Sequence, residues 1–168
     1  SIAGLLFLPA YLLHVVMEGR FRAAIKSRHV WWGVAGFLIL VLGFYFLREW
    51  LTPGYLEAVM NNDLFGRYNT VVEGHRGSWD FHWKNLVNHR FAAFYMYAMA
   101  GVVVLAFMKK SPLRDVGAYA LLLTVVYMLV ISFGQTKIEW YDNPAFPFLA
   151  ILTGVFFVAA ARMVAAAV

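Results

Sequence analysis

Cysteine is absent from the 168-residue chain, which excludes disulfides, thiolate metal centres and cysteine nucleophiles without fixing a compartment. Charge is scarce too: only 14% of residues are charged, against about 25% in an ordinary soluble domain. No Asn-x-Ser/Thr sequon occurs, and no basic leader followed by a short apolar core opens the chain. The net charge of +5 does not signal nucleic acid. Its basic residues fall in short stretches between apolar runs, where a nucleic-acid binder gathers them on one face.

What the chain has in excess is apolar surface. Hydrophobic residues make up 62% of it and aromatics 18%. They are gathered into five blocks, at 1–17, 30–47, 91–108, 116–134 and 148–168. A helix of roughly 20 apolar residues crosses a hydrocarbon core of about 30 Å. The pattern predicts an all-α, polytopic membrane protein of about five spans, with 1–168 forming one transmembrane domain. The chain opens on Ser1 inside an apolar run, and we read it as a piece of a longer protein; a processed small subunit is the alternative.

The connectors predict an orientation. Arg20, Arg22, Lys26 and Arg28 lie in 18–29, and Lys109, Lys110 and Arg114 in 109–115. Short loops rich in lysine and arginine stay in the cytoplasm. Loops 48–90 and 135–147 then face the extracytoplasmic side. Trp31, Trp32, Trp50 and Tyr141 fall near span ends, where aromatic belts form.

Within the long loop, Thr52 and Pro53 read as an N-cap and first helical residue. Tyr55, Leu56, Val59 and Met60 follow at helical spacing, with Gly66 closing a short surface helix. A second start is read at Ser78, with Asp80 in its first turn, running through Trp83, Leu86 and Val87 straight into the span at Phe91.

Two stretches carry the groups suited to chemistry. In Glu73-Gly74-His75-Arg76-Gly77, glycines on either side permit tight turns and close approach. Arg67 lies a few residues before. Arginine offers planar paired donors to phosphate, and histidine can donate or relay a proton. The plainer reading is a solvated surface turn. The second stretch, 135–147, holds Lys137, Glu139, Trp140 and Tyr141 where a helix meets water. Lys137 suits a lipid phosphate, and Trp140 and Tyr141 suit a sugar face; the plainer reading is an interfacial anchor.

His75, His82 and His89 recur every seven residues, but that spacing holds neighbouring imidazoles about 10 Å apart on a helix. No metal site is predicted from them. Glu57, Asp63, Glu73 and Asp80 are scattered, and no catalytic base stands out.

These motifs together resemble a known family. Phe65-Gly66-Arg67-Tyr68, then Glu73-Gly74-His75-Arg76-Gly77 and an aromatic cluster, is similar to bacterial membrane glycosyltransferases of the GT-C superfamily. The branch is that of protein O-mannosyltransferases and the lipid A aminoarabinose transferase. Thr136-Lys137, Trp140-Tyr141, Pro144 and Pro147 resemble the branch's later Lys-x-x-x-Tyr-x-x-Pro-x-x-Pro element. The sequence departs from the pattern after Gly77, where Trp79, Phe81 and Trp83 replace a proline and paired tyrosines.

The resemblance covers the middle part of such an enzyme and implies its chemistry. A sugar passes from a polyprenyl-phosphate donor to an acceptor at the outer face of the bacterial inner membrane. Catalytic acids are expected upstream of Ser1, so this stretch alone is expected to be inactive. Lys137 would hold the donor phosphate, helped by Arg67 and Arg76. Glu73 and His75 would shape the site, and Tyr141 would contact sugar or phosphate. The resemblance leaves the acceptor and a divalent-metal requirement of the full-length enzyme open. The alternatives are a non-catalytic membrane subunit that binds a partner through its outer loops, and a small lipid- or metal-binding membrane protein.

Overall fold

The computed structural model describes residues 2–61, 71 and 74–167. Among the described residues the fold is all-α, and the only extended pairing is an isolated antiparallel bridge between Arg76 and Thr136.

A 3-10 turn, Ile2–Phe7, leads into α1, Leu8–Met17. Pro9 lies in the first turn of α1, where its missing N–H leaves no hydrogen bond unmade. Next come α2, Phe21–Lys26, and α3, Arg28–Leu51. Then follow α4, Tyr55–Val59, and α5, Phe81–Asn85, which passes into a π-helical turn, Leu86–Arg90. Two long connected elements are α6, Tyr95–Phe107, and α7, Pro112–Phe133. A 3-10 turn, Glu139–Ala145, feeds the last helix, α8, Phe146–Ala167.

Three of these helices are long and apolar enough to cross a membrane: Arg28–Leu51, Pro112–Phe133 and the continuous Glu139–Ala167. A fourth crossing is obtained if Phe81–Arg90 and Tyr95–Phe107 count as one broken span, bent by 114°. The first apolar block forms a shorter helix, Leu5–Met17, about 20 Å long at 1.5 Å per residue. Three or four crossings are therefore counted among the described residues, where the sequence pattern predicts about five. These long apolar helices are compatible with an integral membrane protein.

Two local expectations are corrected. The second loop helix does not run straight into the span. The Phe91 N–H reaches back to the Leu86 carbonyl at 2.8 Å, and the chain turns sharply before Tyr95. The first loop helix begins at Tyr55 rather than Pro53, because Gly54 takes the left-handed conformation (φ 89°) at its N-cap. Glu49, still on α3, accepts from the Gly54 and Leu56 N–H groups at 3.0 and 2.7 Å. A carboxylate from the preceding helix supplies the cap that Thr52 was expected to make. The expected close at Gly66 lies outside the described residues.

The core forms where α6, α7 and α8 pack together, with α1 and its leading turn lying on α7. Ala98, Gly101 and Leu105 of α6 are buried, at helical spacing of three and four. A Cβ on Gly101 would lie 2.0 Å from the Leu152 carbonyl oxygen, and one on Gly117 would lie 2.7 Å from Leu105. Small residues let these backbones approach closely, the usual means of helix association where hydrophobicity offers no drive. Phe7 stacks on Tyr127 with ring centroids 4.4 Å apart and meets Phe148 edge-on. By contrast, none of the 24 residues of α3 is buried, and it packs on the short α2 and α4.

Candidate functional site

The two motif-bearing loops, about 60 positions apart, meet at the C-terminal end of α7. There Arg76 and Thr136 form the antiparallel bridge, and the Lys137 N–H donates to the His75 carbonyl at 2.9 Å. Gly74 makes the turn that this requires. Its φ of 75° is left-handed, and its carbonyl accepts from the Arg76 N–H at 2.8 Å. Gly77 serves a different purpose. A Cβ there would come within 2.9 Å of Lys137 Cγ and 3.1 Å of the Phe81 ring. Gly77 thus lies against the Lys137 stem, whereas Gly74 has open space around its Cβ position.

Lys137 is 4% exposed, and its Nζ donates to the Ser132 carbonyl in the last turn of α7. A cation at a helix C-terminus meets the negative end of the helix dipole. Burial holds its pKa below the ordinary value for lysine. An ammonium carries three donors, and the Ser132 carbonyl takes one of them.

The 3-10 turn after Lys137 is fastened from several sides. Asn85 donates through Nδ2 to the Asp142 carboxylate at 2.8 Å and to the Glu139 carbonyl at 3.0 Å. Tyr127 of α7 donates through its hydroxyl to the Tyr141 carbonyl at 2.7 Å. Arg90 approaches Glu139 at 3.5 Å. Asp142 and His82 are fully buried. Asp142 Oδ1 and both His82 ring nitrogens find no hydrogen-bond partner among the described residues. The His82 ring lies near-parallel to Tyr141, 6.4 Å away.

At the rim, Asp80 pairs with Lys84 at 2.7 Å and accepts from the Ser78 hydroxyl. These two contacts, Lys84 first, hold its carboxyl below the usual carboxylate range. Asp80 occupies the N-cap position of α5, so the helix starts three residues later than read at Ser78.

Of the residues singled out in the sequence, the structure joins His75, Arg76 and Lys137 through backbone pairing. His75 and Arg76 are exposed, Tyr141 is half-buried, and Trp140 is 58% exposed. Arg67 and Glu73 lie outside the described residues. The heptad histidines part company: His82 is sealed in, while His75 and His89 are exposed.

Asn85 and Asp142 are not among the residues that the sequence singles out. Glu139 and Asp142 lie three residues apart in loop 135–147, and Asp142 is the one buried acid among the described residues. Its position beside Trp140-Tyr141 was the available signal. Asn85 lies three residues after His82 on the buried face of α5.

No family model matches the chain, and no curated protein or solved structure matches it either.

Proposed function

We propose that this chain is part of an integral membrane glycosyltransferase that moves a sugar from a polyprenyl-phosphate donor to an acceptor at the outer face of the bacterial inner membrane. The observation that supports this reading is the docking of the two loops whose motifs resemble the GT-C branch. The Lys137 backbone is hydrogen-bonded to His75, and Arg76 is bridged to Thr136. Residues remote in sequence but joined in space behave as one site.

In this reading Lys137 supports the leaving phosphate. A preorganised cation in a water-poor setting stabilises charge developing there, and losing one such donor typically costs about 10²–10³-fold in rate. Arg76, exposed at the rim, adds a planar paired donor for phosphate. His75, Tyr141 and Trp140 line the same end of the bundle, where a sugar would stack and hydrogen-bond. Arg67 and Glu73 complete the set by their place in the motif.

The test is Lys137→Ala in the full-length protein, assayed for sugar transfer from a polyprenyl-phosphate donor. Membrane insertion should be kept and transfer should fall about 10²–10³-fold. Near-normal turnover would remove Lys137 from the mechanism.

A second reading, a non-catalytic subunit, draws on α3. A 24-residue helix with no buried residue offers a long apolar face to a partner. It predicts a co-purifying membrane protein crosslinked through α3 and indifference to polyprenyl phosphate.

A further inference from the structure

A separate feature lies at the start of α3, away from the two docked loops. α2 and α3 meet at Ser27, whose extended backbone (φ −77°, ψ 117°) lets α2 leave the α3 axis. The junction leaves an open surface cleft of about 460 Å³ lined by Lys26, Arg28, Trp31, Trp32 and Ala35. The Trp31 indole N–H donates to the Ile25 carbonyl at 2.7 Å, which locks one wall of the cleft onto α2.

The cleft has cations without acids. Lys26 and Arg28 are exposed, and among the described residues the ion pairs lie elsewhere, at Asp80–Lys84 and Arg90–Glu139. Arg20 and Arg22 add two further cations at the start of α2. Trp31 and Trp32 are 58% and 73% exposed. Indoles favour the head-group level of a bilayer, and here they stand at the end of an apolar helix long enough to cross one.

We propose that this cleft binds the head group of an anionic phospholipid, with Lys26 and Arg28 on its phosphate and the two indoles against its glycerol and upper acyl chain. Arginine and lysine beside one another combine a planar paired donor with a mobile point charge. A zwitterionic phosphatidylcholine presents the same phosphate, but its own cation would be repelled by the two basic side chains. The occupant is a lipid rather than free phosphate because two indoles and an alanine make up most of the lining. This proposal is independent of the glycosyltransferase reading.

The test uses the full-length protein, purified in detergent and depleted of lipid. Phosphatidylglycerol should raise its thermal unfolding midpoint, while phosphatidylcholine and glycerol 3-phosphate should leave it unchanged. In K26Q/R28Q the phosphatidylglycerol titration should shift to roughly thirtyfold higher concentration, the factor that two interfacial cations contribute. K109Q/K110Q, which removes a basic pair from another connector, should behave as wild type. A photoactivatable phosphatidylglycerol should crosslink wild-type protein within residues 20–35, a readout that does not depend on either variant folding. An unchanged titration in K26Q/R28Q, an equal loss in K109Q/K110Q, or crosslinks confined elsewhere would each overturn the site. So would an equal response to phosphatidylcholine or to glycerol 3-phosphate.

Discussion

The Asn85 amide donates to the Asp142 carboxylate at 2.8 Å, joining a broken helix to a turn 57 positions away. The bond is buried at both ends, with Asn85 8% exposed and Asp142 fully enclosed. Asn85 also takes the Glu139 carbonyl, so one side chain holds two points of the 3-10 turn.

Removing that amide should therefore be expensive. Asn85→Ala leaves a buried carboxylate short of a donor, a loss of about 1–3 kcal/mol or more for a charged group. Asp142→Asn keeps an acceptor facing Asn85 and should cost less. Thermal unfolding in detergent checks both; equal, small shifts would mean that the pair does not hold the turn.

The crossing of α6 and α8 makes a paired prediction about glycines. At Gly101 a methyl group would meet the Leu152 carbonyl at 2.0 Å, a contact that only a shift of one helix could relieve. Overpacking of that kind costs about 1–3 kcal/mol, so Gly101→Ala should lower the unfolding midpoint. Gly154, also helical, has open space around the same position. Gly154→Ala should be neutral or stabilising by up to about 1 kcal/mol from helix propensity.

Lys137 should leave a signature in the pH dependence of stability. Burial lowers its folded pKa below the ordinary 10.5. Between the lowered value and 10.5 the unfolded chain binds the proton more tightly, so stability rises with pH across that interval. Below the lowered value the penalty is constant. Lys137→Met should flatten the rise, which the difference between wild-type and variant unfolding curves from neutral pH to about 10.5 would show.

Hydropathy made the helical class and the long apolar helices readable, because a run such as 30–47 carries its own signal. Bends were not readable in the same way. The stretch from Phe91 to Phe94 contains no proline or glycine, and its turn arises from the Leu86–Phe91 hydrogen bond and from Phe91 packing on Phe146. The cap on α4 was hidden for a similar reason, since Glu49 reaches it from another helix. At the site, glycine spacing marked residues 74–77 and the Lys137 loop drew notice by composition. Their meeting was not encoded locally, and neither was the burial of Asp142, which depends on Asn85 arriving from a distant helix.

Everything proposed for the loops depends on their forming one surface, and the absence of cysteine from these 168 residues means that any disulfide within them comes from introduced thiols. Arg76→Cys with Thr136→Cys places two thiols across the antiparallel bridge, where opposed Cβ atoms lie about 4.5–5.5 Å apart. Mild oxidation of the full-length double variant in membranes should give a near-complete intramolecular disulfide, seen as a reducible gel shift after cleavage between the two positions. Arg76→Cys with Lys109→Cys should give none. Failure of the 76–136 pair to crosslink, or equal crosslinking of the control, would contradict the docked loops.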